Sequence, residues 1–293
     1  MIKKERHIIN MSGGKDSTAL AIYLKEKNPD QKYEFVFCDT GKELPETYDY
    51  LKKVENYLGE DIVYLDATST LPKGVAKDNL FDFLLDQYSG FLPSAQMRWC
   101  TRELKIKPFE KYIKDDKIIS YIGIRADEDR KGYISKKDTI TPVFPFKDDG
   151  ITLDDVQEIL DKSGLGYPDY YEWRTRSGCY FCFFQRKAEW VGLLENHPDL
   201  FKDSKKYEKT GPNEKKFTWA EKESLDDIEK PERIQQIKEN KKKAELQMEK
   251  FKKNKRLSDK SWSTNIGKVK DNDEIQWQAD EDDMLDACTI CTL

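Results

Sequence analysis

The stretch Ser12-Gly13-Gly14-Lys15-Asp16-Ser17 constrains the fold of this chain more than any other. It lies between the apolar run His7-Ile8-Ile9-Asn10-Met11 and Thr18-Ala19-Leu20-Ala21-Ile22-Tyr23-Leu24, an order that reads as strand, glycine turn and helix. Two glycines at such a junction remove the Cβ atoms that would hold an anion off the backbone. The N–H groups of the first helical turn then face that anion, with the positive end of the helix dipole behind them. Lys15 adds a mobile charge, and Ser12 and Ser17 add hydroxyls. The loop reads as a phosphate cradle distinct from a Walker loop, because the spacer between the first glycine and Gly-Lys is missing. The alternative is an ordinary strand-to-helix turn rich in small residues.

Beyond the loop the chain repeats the same alternation. Tyr33-Glu34-Phe35-Val36-Phe37-Cys38 is an apolar run of strand length ending in Asp39-Thr40-Gly41, and Leu44-Pro45-Glu46-Thr47 opens a helix with Tyr50, Leu51, Val54, Tyr57 and Leu58 at helical spacing. Ile62 to Asp66 and Lys117 to Gly123 read as further strands. Strands alternating with helices predict an α/β fold with a doubly wound, mostly parallel sheet, whose ligands gather at the carboxyl ends of the strands. An aromatic-rich helix is expected from Phe183 to about His197, and the chain turns polar from Phe201. At 293 residues, the expected division is a first domain over 1–200 and a charged, helical extension over 201–293 with an acidic, cysteine-containing tail.

Within the extension, Lys238 to Arg256 holds nine basic residues against three acidic ones, and Asp280-Glu281-Asp282-Asp283 reverses the sign. The basic run reads as a solvated helical face, with contact to nucleic acid or a partner subunit as the other reading. The formal charge of -5 argues against a protein that is basic overall. No apolar stretch approaches the roughly 18 residues that span a bilayer, so the expectation is a cytoplasmic protein without membrane contact.

Six cysteines (38, 100, 179, 182, 288, 291) are too few for a secreted disulfide scaffold in a chain this long, and two Cys-x-x-Cys pairs point to metal or redox chemistry. Cys100 stands among Arg98, Trp99, Arg102 and Lys105, surroundings that favour a thiolate. A structural zinc site of Cys100, Cys179 and Cys182 with Cys38, His7 or His197 is a competing reading that spacing alone leaves open. Cys38, at the end of a buried strand, reads most simply as a small core residue. Arg125 and Arg130, beyond the strand end at Gly123, form either an anion clamp or a charged surface turn.

The pattern Ser-Gly-Gly-x-Asp-Ser resembles the pyrophosphate loop of the N-type ATP pyrophosphatases, which split ATP between its α- and β-phosphates to adenylate a substrate. It occurs here in order with Cys38-Asp39-Thr40-Gly41, Arg98 to Pro108, Gly123-Ile124-Arg125, Pro142 to Leu160 and Gly178-Cys179-Tyr180-Phe181-Cys182. Over about residues 5 to 200 the chain therefore resembles the phosphoadenosine phosphosulfate reductase family of that superfamily. Reductases of adenylylated sulfate usually carry a degenerate loop, whereas this loop is intact, which implies use of ATP. Arg98-Trp99-Cys100 together with the Cys179 pair looks closest to the sulfurtransferase subunit of DNA phosphorothioation systems and its phage and plasmid relatives.

The resemblance implies a HUP-like fold and an ATP-dependent sulfurtransferase with a [4Fe-4S] cluster on Cys100, Cys179 and Cys182, zinc being the alternative metal. It implies that Ser12, Gly13, Gly14, Lys15, Asp16 and Ser17 hold the leaving pyrophosphate, that Phe37, Cys38, Asp39 and Gly123 line the nucleotide, and that Asp16 or Asp39 orients Mg2+. Lys15, Asp16, Arg125 and Arg130 would serve catalysis. Implied partners are a sulfur donor such as a cysteine desulfurase, or a reductant, with nucleic acid as acceptor and a homo-oligomer as a further expectation. Two other readings are a sulfonucleotide reductase or ATP sulfurylase-like enzyme, and a non-catalytic nucleotide-binding subunit. Cys288 and Cys291 read as a mobile redox pair, as cluster ligands or as inert residues.

Overall fold

The computed structural model describes residues 5–129, 137–210, 216–220 and 223–261. Arg130, the acidic stretch 280–283, Cys288 and Cys291 lie outside the described residues. Five strands, β1 (Glu5–Met11), β2 (Glu34–Cys38), β3 (Ile62–Leu65), β4 (Lys117–Tyr121) and β5 (Ile140–Val143), form a sheet of order β3-β2-β1-β4-β5. All four pairings are parallel, with Ile9 opposite Phe35 on one side of β1 and opposite Tyr121 on the other.

The helices are α1 (Lys15–Lys27), α2 (Pro45–Leu58), α3 (Leu80–Gln87), α4 (Trp99–Thr101), α5 (Lys107–Ile113), α6 (Pro145–Asp148) and α7 (Leu153–Ser163). Because side chains alternate along a strand, β1 and β2 supply two cores. Ile9, Met11, Phe35 and Phe37 meet Leu20 and Leu24 of α1, Leu51 and Val54 of α2, and Val156 and Leu160 of α7. Ile8, Val36 and Cys38 face the other way, onto Phe109 and Ile113 of α5. The sheet is thus covered on both faces, and the expected doubly wound α/β architecture is the observed one. Strand order reverses between β1 and β4, so the loops after these two strands flank the crevice where open parallel sheets place their ligands.

The described chain divides into two compact units, one up to Phe184 and one from Gln185. The second contains α8 (Lys187–Asn196), α9 (Pro198–Lys205), the antiparallel pair β6 (Lys209–Thr210) and β7 (Lys216–Phe217), α10 (Leu225–Ile228) and α11 (Pro231–Ser261). The division falls before the expected boundary at 200 because Trp190 of α8 packs on Phe201 of α9 and on Trp219, at ring-centroid distances of 6.4 and 6.3 Å. The aromatic helix expected from Phe183 begins at Lys187, and the basic run from Lys238 continues α11. Among the described residues no helix is long and apolar enough to cross a membrane.

Candidate active site

The loop between β1 and α1 is closed by its own serines. Ser17 Oγ accepts from Ser12 N (3.1 Å), lies 3.0 Å from Ser12 Oγ, and donates to Gly14 O (3.2 Å). The loop after β4 comes so close that a Cβ on Gly123 would stand 2.9 Å from the carbonyl oxygen of Asp16, so glycine is required there. That approach delivers Arg125, whose guanidinium donates to Asp16 (2.7 Å) and Asp127 (2.9 Å) and pairs with Glu128 (2.8 Å). Burial works against this charge, but the carboxylates of Asp16, Glu128 and Asp127 outweigh it and raise the guanidinium pKa. The other oxygen of Asp16 meets Lys15 Nζ at 3.2 Å. Lys15, Asp16 and Arg125 therefore form one charge chain across the mouth of the loop.

At the end of β2, Asp39 is buried. Its Oδ1 accepts from Gly41 N and Tyr48 OH, each at 2.8 Å, and its Oδ2 pairs with Lys77 at 2.8 Å. The carboxylate expected to orient Mg2+ thus has protein donors on both oxygens and shapes the turn after β2. The Cys38 thiol belongs to the sheet core, 3.6 Å from Lys105 O, and burial raises its pKa to about 12. Only the backbone of Cys38 remains to line a nucleotide.

The turn shaped by Asp39 carries a group that sequence reasoning missed. Thr40 Oγ1 donates to Glu43 (3.0 Å) and lies 3.2 Å from Cys179 Sγ, while Cys179 Sγ donates to the same Glu43 oxygen at 3.8 Å. Oε2 of Glu43 is buried with no hydrogen-bond partner among the described residues. Burial is the main cause that raises the pKa of Glu43 and of Cys179, and the Lys105 charge opposes it in both. Arg174, 1% exposed, ties down the cysteine turn by donating to Gly178 O (3.0 Å) and Cys179 O (2.8 Å).

Cys100 approaches this turn through its neighbours. Phe81 of α3 packs its ring between Trp99 (5.1 Å) and Phe181 (4.5 Å), and Arg98 and Arg176 both lie over Phe184, at 4.9 and 5.1 Å. The segments bearing Cys100 and Cys182 are thereby packed together, and a π-helical stretch, Arg102–Ile106, buries Lys105 beside the thiol of Cys179. As the side chains stand, no group of three His, Cys, Asp or Glu among the described residues could hold a metal ion. The expected thiolate set of Cys100, Cys179 and Cys182 is on neighbouring segments without being gathered on one point, because Cys179 turns to Thr40 and Glu43. Two of the alternative zinc ligands lie elsewhere, Cys38 in the core and His7 against Tyr121 OH at 2.8 Å. His197 caps α9 in the second unit.

A strap from Tyr170 to Cys179 joins the two halves of the site. Tyr170 OH donates to Gly13 O (2.7 Å), Lys15 N donates to Tyr171 OH (3.3 Å), and Ser177 Oγ donates to Ser12 Oγ (3.1 Å). Sequence spacing reveals none of these tyrosine and serine contacts, since they connect residues 156 to 165 positions apart.

Residues 6–183 match the phosphoadenosine phosphosulfate reductase domain, and the chain belongs to that family. An uncharacterised protein of Methanocaldococcus jannaschii is 29% identical over 220 residues, covering 69% of this chain and 47% of that protein. The chain thus spans about half the length of that relative. Among solved structures, the phosphoadenylyl-sulfate reductase of Candida auris matches with a TM-score of 0.44 at 14% identity, over 60% of this chain and 80% of that one. The U34-tRNA thiolase NcsA of Methanococcus maripaludis with its [4Fe-4S] cluster matches with a TM-score of 0.39 at 16% identity, over 70% and 72%.

Proposed function

We propose that the chain is an ATP-dependent sulfurtransferase that adenylates an acceptor oxygen, releases pyrophosphate and then lets a sulfur nucleophile displace AMP. The observation that carries this reading is the Ser177 to Ser12 hydrogen bond, which sets the Cys179 turn next to an intact pyrophosphate loop. In the first step the acceptor oxygen bonds to the α-phosphorus as the α–β P–O bond breaks. The N–H groups at the start of α1 and the Lys15 ammonium receive the charge that develops on the leaving pyrophosphate. Arg125 is a positioning residue here, since its guanidinium holds Asp16 and through it Lys15.

Thiols on two packed segments are donors suited to iron and sulfide, and Cys100, Cys179 and Cys182 would hold such a cluster once Cys179 turns from Thr40 and Glu43. When bound with three thiolates it supplies an iron with an open position for sulfide. The buried Glu43 and Lys105 flank Cys179 from this chain. We take the acceptor to be nucleic acid, in keeping with the exposed Lys241, Lys242 and Lys243 on α11.

The test is anaerobic purification with iron, sulfide and zinc analysis, and then pyrophosphate release from ATP with nucleic acid as acceptor. The expected results are iron and sulfide that are lost in Cys100→Ala and Cys182→Ala, and pyrophosphate release that is lost in Lys15→Ala. A protein that binds ATP without releasing pyrophosphate, or that reduces adenylylated sulfate instead, would overturn the reading.

A further inference from the structure

We infer that the Tyr171 hydroxyl stands in for a pyrophosphate oxygen in the loop while the Ser177 hydroxyl fills the space beside it, and that entering pyrophosphate displaces both and loosens the strap that carries Cys179. The inference rests on the reading of Ser12 to Ser17 as a pyrophosphate cradle. It starts from Gly14, where a Cβ would fall 2.7 Å from Ser177 Oγ and 3.0 Å from Tyr171 OH. The space that the missing side chain opens above the backbone is thus filled by two hydroxyl groups.

The backbone donor that an anion would use is turned to one of these hydroxyls, and the other donates into the loop. Lys15 N–H is directed to Tyr171 OH, Lys15 Nζ lies 5.0 Å from the centre of the Tyr171 ring, and Ser12 Oγ accepts from Ser177. At 3.3 Å the bond from Lys15 N is long, and its acceptor is a neutral phenol that burial holds well away from ionisation. A phosphate oxygen carries charge, and charge-assisted hydrogen bonds are shorter and roughly twice as strong as neutral ones. Exchange of the phenol for phosphate is therefore favourable at Lys15 N–H.

The rest of the strap decides what the exchange does. Tyr170 is 1% exposed and its OH donates to the carbonyl of Gly13 from the interior, so this end stays fixed. Beyond it, Arg174 grips the carbonyls of Gly178 and Cys179, one and two residues past Ser177. Moving Ser177 off Ser12 therefore pulls on the turn that sets Cys179 against Thr40 and Glu43. Occupancy of the nucleotide loop and placement of the thiol become coupled through one short segment.

Calorimetric titration of the full chain with inorganic pyrophosphate tests this. Losing a competing neutral hydrogen bond should tighten binding by about three- to tenfold in Tyr171→Phe and in Ser177→Ala. A gain in affinity cannot arise from structural damage, and the second variant stands if the first folds poorly. In the wild-type chain, hydrogen exchange in the peptide from Arg174 to Cys182 should rise when pyrophosphate is added. Unchanged or weaker binding in both variants, or unchanged exchange in that peptide, would overturn the inference while leaving the cradle intact. Absence of pyrophosphate binding in the wild type and both variants would instead remove the cradle reading on which it rests.

Discussion

The two units handle buried charge in opposite ways. Around the cysteine turn, the buried Glu43 meets the half-buried Cys179, and desolvation shifts both toward their neutral forms. In the unit from Gln185, Glu223 is held by Arg233 at 2.6 Å and by Lys187 at 3.0 Å, which lowers its pKa. Asp227 is lowered in the same way by Lys230 and by the hydroxyl of Ser224 at the start of α10. Even Glu208, raised by burial, receives Trp219 N and Leu225 N at 2.9 and 2.8 Å. Around the cysteine turn a carboxylate oxygen of Glu43 is left without a partner among the described residues, whereas the carboxylates of the second unit close ion pairs and caps around a small aromatic core. Perturbed groups of the first kind mark functional sites more often than those of the second.

The contrast can be broken first at the aromatic core. Trp190→Ala should cost roughly 3–5 kcal/mol in the second unit by cavity formation, read by chemical denaturation. It should leave pyrophosphate affinity within about twofold, as expected of sites that share no partners. Loss of binding would show that the loop depends on that core.

A smaller effect is expected at Glu223. Glu223→Gln should cost roughly 1.5–3 kcal/mol at neutral pH, the range for hydrogen bonds to charged groups. Because its pKa is lowered in the folded protein, its contribution is present above the ordinary carboxylate range and is lost as pH falls. The wild-type and variant stabilities should therefore converge toward pH 4, measured by denaturation at several pH values.

Gly123→Ala sharpens the other side of the comparison. A Cβ 2.9 Å from Asp16 O must push the two loops apart, an overpacking worth roughly 1–3 kcal/mol, or about five- to 150-fold in pyrophosphate affinity. Unaltered affinity would mean that the approach of the β4 loop does not shape the cradle.

The smallest effect, and one of opposite sign to Glu223, is expected at Glu43. Its pKa is raised on folding, so the stability linked to it is fully present below the ordinary carboxylate range and declines as pH rises through the raised value. Glu43→Gln should remove that decline and make the protein more stable than wild type at pH 8, measured by the same denaturation series. A variant destabilised at pH 8 would place Glu43 with Glu223 as a paired, stabilising charge.

Sequence patterns carried the fold because they are local. The glycine loop between an apolar strand and a helix, the apolar runs of β2 and β3, and the helical spacing of Tyr50, Leu51 and Val54 are all readable over a few residues. The glycine loop was legible for the same reason, and with it the place of Lys15 and Asp16 at the start of α1. What escaped was every contact made at long range. Glu43 belongs to no motif in the sequence, and only the fold brings it to Cys179, 136 positions away. Arg125 reads as half of an anion clamp, and only the close approach of Gly123 to Asp16 shows that it holds a carboxylate instead.

By itself, the sequence determined the strand-loop-helix unit at Ser12 to Ser17, the doubly wound sheet that displays it, and the family to which residues 6–183 belong. These depend on backbone preferences and on burial patterns with periods of two and 3.6 residues, which a chain carries wherever it is read. The tertiary structure alone decided that Tyr171 and Ser177 fill the space over Gly14, that Cys179 faces Thr40 and Glu43, and that Asp39 is enclosed by Tyr48, Gly41 and Lys77. Such contacts are fixed by how loops from several strands converge at one edge of the sheet, and no spacing along the chain records that convergence.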